Sequence, residues 1–371
     1  LSQQELNRPW EPRRSADQTT EAVLQWLKEN HGSPFFLWVH YAEPHGPYTP
    51  PPPYDGLFVG NELYGTPQLL ETVPDWQVGG IPTYQVLKPQ RDAAGNLVDY
   101  ERDFRHYLSQ YDGQIRFLDD QLKALVGRLK EWGIYDEALL IITADHGEAL
   151  GENDVFFFHG LSVSLEQIRV PLLIKPPSRS RLKNHRISDP VSTIDLMPTV
   201  LALLGQEAQY LGLQGMSLLP FLQGSRPTLP QRYIFSEIPT QLSLIHGRFQ
   251  LLYSKEKEDM PYPRIPAAAG TKLFDYIADP LGKHDLSLEH SNIAAALKSV
   301  AESCLKIPPP SYTVEQLSPQ DKENIERRLK RLGYVNERVP EHISVQQTAA
   351  NHGKNVGLTG KQPTMFPRKA P

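Results

Sequence analysis

Asp145, His146, Gly147 and Glu148 stand in a row where an apolar run ends. Asp145 offers a hard charged oxygen and His146 a neutral nitrogen, and both are good ligands for a divalent cation. Gly147 lets the backbone turn sharply behind them. The plain alternative is a strand-end turn made by Asp145 and Gly147. Two further histidines sit in comparable settings. His45 lies in Ala42-Glu43-Pro44-His45-Gly46-Pro47-Tyr48, after the apolar run Phe35 to Tyr41. Pro44 and Pro47 stiffen that loop, which is useful if an imidazole has to be aimed at a ligand. A surface turn with an incidental histidine would read the same way. His159 follows Phe156-Phe157-Phe158, which could bury one side of its ring.

These residues need elements to hold them. Every residue from Leu139 to Thr143 is bulky apolar or β-branched, the pattern of a strand buried on both faces in a parallel sheet. Open α/β sheets bind ligands at the carboxyl ends of such strands. A helix over 15–30, with Ala22, Val23, Trp26 and Leu27 on one face, leads into a strand over 35–41. A second helix is predicted over 99–132, because Phe104, Leu108, Tyr111, Ile115, Leu118, Leu122, Val126 and Leu129 recur at steps of three and four. Asp112, Asp119 and Asp120 lie off that stripe, as solvated groups or in local ion pairs. Between Thr49 and Val98 runs a Pro/Gly-rich excursion too long for a plain connection, a rim or lid or mere decoration. A short helix over 164–168 and a strand over 169–177 follow, then a helix over 195–204 with Asp195 as N-cap. From about 230 come short strands, of which 249–253 and its neighbour read as antiparallel and half exposed, and a helix over 291–304. A charged helix is predicted over 319–333 and disorder beyond about 340.

Composition narrows the classes. Within 371 residues, 39% are hydrophobic, enough for a real core, and 34 prolines cluster in 44–53, 171–177, 261–266 and 307–310. A net charge of −5 does not suggest a nucleic-acid binder. The single cysteine, Cys304, excludes an intramolecular disulfide. No apolar run reaches the roughly 18 residues of a membrane span. The sequence opens on Leu1 in a polar segment and reads as processed or cut.

Four segments, in order, resemble the sulfatase family of the alkaline phosphatase superfamily: Pro44-His45-Gly46-Pro47-Tyr48, Tyr111-Asp112-Gly113-Gln114-Ile115-Arg116-Phe117-Leu118-Asp119, Asp145-His146-Gly147-Glu148, and His159-Gly160 followed by Ile168-Arg169-Val170-Pro171-Leu172. Leu273-Phe274-Asp275-Tyr276 with Asp279-Pro280, and Arg331-Leu332-Gly333-Tyr334, are similar to that family's C-terminal segments. The resemblance covers most of residues 13–335. It implies an α/β fold, an α/β/α sandwich with a mostly parallel sheet, truncated at its N-terminus, plus a smaller C-terminal α+β lobe. The implied domains are a partial catalytic domain over 13–225, an α+β subdomain over 230–310 and a tail over 311–371. Asp145 and His146 match the family's metal ligands, for Ca2+ with Mn2+ or Zn2+ as alternatives. His45 matches its substrate-binding histidine, and His159 the basic residue that contacts the sulfate or leaving-group oxygen. The residue chemistry agrees: a cation can face the anionic ester, and protonated imidazoles the charge that builds on the departing oxygen.

The sequence departs from the family in one respect. Sulfatases carry a Cys-x-Pro-x-Arg nucleophile segment and an Asp-Asp pair that completes the metal shell, and neither is present in these residues. Cys304 is followed by Leu305, Lys306, Ile307 and Pro308. The expectation is a hydrolase of small-molecule or glycan sulfate esters that is inactive as this chain alone. A phosphodiesterase or phosphonate hydrolase of the same superfamily, or a binding protein without a nucleophile, would keep the same residues. Export is a family expectation only, and oligomeric state is not legible.

Overall fold

The computed structural model describes residues 14–306, apart from 74–77, 86–89, 92, 95–96, 181, 183–185, 207–212, 225–229 and 255–269, together with Gln320 and Glu323. Leu1–Ser311 forms one compact unit and Tyr312–Pro371 a second. Disorder expected beyond about 340 falls outside the described residues, as does the helix expected over 319–333 except at Gln320 and Glu323.

In chain order the principal elements are α1 (Ala16–Asn30), α2 (Phe104–Glu131), β1 (Leu140–Thr143), β2 (Ala149–Leu150), β3 (Phe156–Phe158), β4 (Leu172–Lys175), α3 (Leu196–Leu203), β5 (Ile234–Ile238), β6 (Gln241–His246), β7 (Phe249–Ser254), β8 (Gly270–Asp275) and α4 (Ser291–Leu305). The architecture is mixed α/β. Strand order β8-β7-β6-β5 makes a four-stranded antiparallel meander, while β1 pairs with β4 and β2 with β3.

α1 begins at Ser15, whose N–H is accepted by Gln18 Oε1 at 3.1 Å. Its Val23 and Leu27 pack on Leu125 and Leu129 of α2. Trp26, expected on that face, instead lies 38% exposed with its ring edge-on to Phe35 at 5.6 Å. The segment after α1 is extended, but it has no ladder partner among the described residues, so the strand expected over 35–41 is not one. Its side chains still alternate. Leu37 and Val39 turn onto the α1–α2 cluster, and Phe36 and Trp38 are 82% and 80% exposed.

β1 forms as expected, but its described neighbour runs the other way: Ile141 faces Ile174 and Ile142 faces Leu173 in an antiparallel pair. Neither strand is covered on both faces, and Leu173 is 58% exposed. An apolar run records aversion to water, not the direction of the adjacent strand. That direction is set by the path of the β2–β3 hairpin and the turn of helix at Leu165–Ile168, which bring the chain back.

α2 starts at Asp103, whose carboxylate accepts the Arg105 N–H at 3.0 Å. Its deepest face is not the apolar stripe. Tyr107, Ser109, Gln110, Gly113, Gln114 and Phe117 are buried, whereas Ile115 is 43% exposed. The buried glutamines hold backbone: Gln114 Nε2 donates to the Pro47 carbonyl at 3.3 Å, and Gln110 Nε2 to that of Asp55 at 2.9 Å. Asp120 makes the local ion pair with Arg116 at 3.1 Å, and Asp112 and Asp120 also accept from the Tyr64 and Tyr54 hydroxyls at 2.5 and 3.1 Å. At Gly113 a Cβ would lie 2.6 Å from the Tyr54 carbonyl oxygen and 2.9 Å from Pro50. The helix thus offers a polar, side-chain-poor seam into which the loop after His45 settles.

In the C-terminal sheet, Leu251 and Leu273 pack under Ala294, Leu297 and Ala301 of α4. Leu252 and Phe274 pack on Val163 from the other side. β7 is consequently buried rather than half exposed, because both its faces are covered. Gln241 Oε1 accepts from the Val163 N–H at 2.9 Å, and Gln250 Nε2 donates to the Val163 carbonyl at 3.2 Å. The sheet therefore grips the chain four residues beyond His159.

Asp195 does not cap α3 as expected: its side chain makes no capping hydrogen bond to that helix and its backbone is already helical. It is fully buried and accepts from Ser192 N–H (2.8 Å), Met216 N–H (2.9 Å) and the Arg232 guanidinium. Replacing it by alanine strands Arg232 in a part-buried position, and we expect a loss of about 3–5 kcal/mol in urea unfolding. Gly113→Ala and Gly127→Ala separate close packing from helix propensity. Nothing lies within 4 Å of a Cβ at Gly127, so Gly127→Ala should stabilise by about 0.5–1 kcal/mol. Gly113→Ala should destabilise, and equal midpoint shifts in the two variants would contradict the close approach.

Candidate active site

The hairpin β2–β3 sets the geometry. Ala149 faces Phe158 but Leu150 faces Phe156, so Phe157 is an extra residue on its strand, a β-bulge. Its φ is 53°, in the left-handed region, and it is fully buried. A non-glycine residue held there costs roughly 1–3 kcal/mol. Its ring sits 5.1 Å from Tyr107, 5.5 Å from Phe104 and 5.9 Å from Tyr48. Burial of such a side chain contributes about 1.5–3 kcal/mol, and each favourable aromatic pair about 0.5–1.5 kcal/mol more. Packing wins, and the bulge re-aims the residues that follow.

His159 comes next but one. Its ring stacks on His146 at 3.9 Å between centroids and meets His45 edge-on at 4.9 Å. Phe158 flanks it at 5.9 Å, the one phenylalanine of three that lies against the imidazole. The structure thus brings His45, His146 and His159 together from three separate loops, with Asp145 Oδ2 3.8 Å from His146 Nε2.

In each imidazole Nδ1 faces an oxygen: the Gly46 carbonyl at 2.7 Å for His45, the Gly147 carbonyl at 2.8 Å for His146, and Glu148 Oε1 at 3.2 Å for His159. Carbonyls and carboxylates accept, so Nδ1 carries the hydrogen in all three, and Nε2 is the nitrogen that can change its proton. Glu148 was legible only as a motif residue. Its side chain is 5% exposed, and it fixes the tautomer and orientation of His159. Beneath it the Tyr111 phenol is kept protonated well above its usual range by burial and by the charges of Glu148, Asp112 and Glu152. Tyr111 meets Tyr48 at 5.1 Å and so braces the His45 loop. No signal in the sequence marked the bulge at Phe157, since three consecutive phenylalanines carry no alternation from which a register could be read.

Gly147 is required for a reason other than a sharp turn. Its φ is not left-handed, but a Cβ there would lie 2.1 Å from the Glu166 carbonyl oxygen, and its N–H donates to the Gln167 carbonyl at 2.8 Å. The loop carrying His146 is pressed against the turn at Leu165–Ile168.

As a cation site, the donor chemistry of Asp145 and His146 is suitable, but two donors are few against the six to eight oxygens calcium takes. Among the described residues no group of three or more His, Cys, Asp or Glu side chains is arranged to hold a metal ion. The described residues do not by themselves make a metal site.

A family model described as Sulfatase matches residues 1–206. The multifunctional alkaline phosphatase superfamily protein PehA of Trinickia caryophylli is 32% identical over 228 residues, 58% of this chain and 43% of the relative. Arylsulfatase K of Xenopus laevis is 29% identical over 222 residues, 56% of this chain and 39% of the relative. This chain therefore spans about two fifths of the length of these curated relatives. Among solved structures, a phosphonate monoester hydrolase from Silicibacter pomeroyi superimposes with a TM-score of 0.56 at 23% identity, over 82% of this chain and 65% of the other. A protein solved with its substrate D-glucosamine-2-N,6-O-disulfate gives 0.57 at 18% identity, over 79% and 69%. These likenesses show the fold.

Gly147→Ala should displace the His146 loop and cost about 1–3 kcal/mol by overpacking. The His146 and His159 ring resonances should lose their mutual ring-current shifts. Unchanged imidazole spectra would show that the Glu166 contact does not position the cluster.

Proposed function

The chain belongs to the sulfatase family, and from that premise we propose that it carries the substrate-facing half of a sulfate-ester hydrolase centre. The observation that supports this most is the convergence of His45, His146 and His159, with ring centroids 4.9 and 3.9 Å apart. In this reading the Nε2–H groups of His45 and His159 donate to the sulfate and to the departing alkoxide oxygen, which leaves as the alcohol. Glu148 holds the His159 ring so that Nε2 points at the ester. The substrate is a small-molecule or glycan sulfate ester. Residues 13–225 form the catalytic portion and 230–310 the subdomain that braces it.

Asp145 and His146 are proposed as part of a divalent-cation shell, calcium first and manganese or zinc as alternatives. With two donors, this chain alone binds the ion weakly. It also contains no Cys-x-Pro-x-Arg segment, so by itself it does not turn over. A second reading has support in the named relatives: a phosphonate or phosphodiester substrate, since one relative is called multifunctional and one structural neighbour is a phosphonate monoester hydrolase.

Titration of the purified chain with 4-nitrophenyl sulfate should move the His45 and His159 imidazole resonances, and neutral 4-nitrophenyl acetate should not. His159→Ala should weaken that response at least tenfold. Phenylphosphonate binding more tightly than the sulfate would favour the second reading. Calcium-dependent release of nitrophenol would overturn the inactivity of the isolated chain.

A further inference from the structure

At the far end of the β2–β3 hairpin lies a cleft of about 340 Å³ between the tip of the hairpin and the C-terminal sheet. Its walls are Glu152 and Asn153 on one side and Lys272, Lys283 and Asp285 on the other, with Leu281 and Phe274 supplying an apolar patch. We propose that this cleft binds a second, non-reacting anionic group of the substrate, which makes the substrate a saccharide carrying more than one anionic substituent. The proposal rests on the hydrolase reading above and extends it.

Four observations carry it. The hairpin tip is held in an unusual shape: Gly151, Asn153 and Asp154 have φ of 118°, 54° and 59°, and the Gly79 N–H donates to the Asp154 carbonyl at 2.8 Å. Shape held against conformational preference marks functional loops. Formal charges in the cleft balance, but their partners differ. Glu152 accepts the Leu150 N–H at 2.6 Å, and Asp285 accepts the N–H groups of Leu273 and Ser287 at 3.1 and 2.9 Å. Lys272 and Lys283 make no ion pair within 4 Å among the described residues, but the charge of Lys272 acts on the Asp285 carboxylate, so Lys283 is the less satisfied cation of the two. The carboxylates keep lone pairs for hydroxyl groups, which together with the apolar patch suits a sugar ring.

The third observation is placement. Glu148 and His159 bond at the base of the hairpin, and the cleft begins three residues along it at Gly151. At about 3.3 Å per residue the chain from Glu148 to Gly151 spans at most about 10 Å, within the reach of a disaccharide. Fourth, Lys272 shares a face of β8 with Phe274, which packs on Val163, four residues along the chain from His159. The cleft is therefore registered to the imidazoles through rigid packing rather than through a loose loop.

The test is isothermal titration of the purified chain with one disaccharide bearing a single sulfate and the same disaccharide bearing two sulfates about 10 Å apart, with histidine spectra recorded in parallel. The disulfated ligand should bind at least tenfold more tightly. In the Lys272→Gln/Lys283→Gln double variant, at two exposed positions, that advantage should fall below threefold while monosulfate binding stays unchanged. An advantage that survives in the double variant overturns the cleft proposal and leaves the hydrolase reading intact. Lysine-dependent binding of the disulfate without any imidazole shift would overturn the hydrolase reading and keep the cleft as an anion site. Absence of binding by either ligand would overturn both.

Discussion

Phe157 is the constraint on which the site depends. A fully buried aromatic ring in a left-handed backbone conformation can persist only if its neighbours outweigh the strain, and here they come from α2 and from the loop after His45. The same ring therefore joins three elements. Tyr48 rests on it three residues after His45, Tyr107 and Phe104 approach it from α2, and the strand that carries it ends at His159. Moving any one of them would disturb the relative placement of two imidazoles. The strained residue acts as a rivet, and the histidines are precise because the core beneath them is over-determined.

Above this core the site is organised by oxygen acceptors. Three imidazoles have their Nδ1 atoms committed to two backbone carbonyls and one buried carboxylate. Two of those acceptors belong to the residue next to the histidine itself, so the loop that delivers the ring also orients it. Glu148 is different in kind: it reaches across the hairpin, and its charge adds to the burial that chiefly raises the Tyr111 phenol. One carboxylate thus couples the chemistry-bearing ring to the helix that supports the opposite loop.

Much of this was legible in the sequence, and the reasons it was or was not are physical. Asp145-His146 and the Pro44-His45-Gly46-Pro47 loop were visible because strand ends and proline-fixed turns leave local traces in residue type. Helices α1 and α2 were visible from their apolar spacing and the glycines that follow them, α3 from Pro198 in its first turn and Gly205 after it, and α4 as a helical stretch. The buried face of α2 was not, because Gln110, Gly113 and Gln114 are chosen for contact with backbone that lies about 60 residues away, and apolar periodicity carries no trace of it. Strand direction failed for a related reason. Leu139–Thr143 specifies a strand, but its partner is selected by how the intervening chain returns. Segment 35–41 has the alternation of a strand without a ladder. Side-chain pattern specifies what a strand packs against, and only a neighbour makes it part of a sheet.

The seam on α2 has a consequence for how this protein could diversify. Its glutamines hold the loop after His45 by the main-chain oxygens of Pro47 and Asp55, and Gly113 leaves room for that of Tyr54. Every amino acid presents the same carbonyl. Side chains along that rim can therefore be exchanged over evolutionary time without altering its course, and the surface it presents can vary while the imidazoles stay in place.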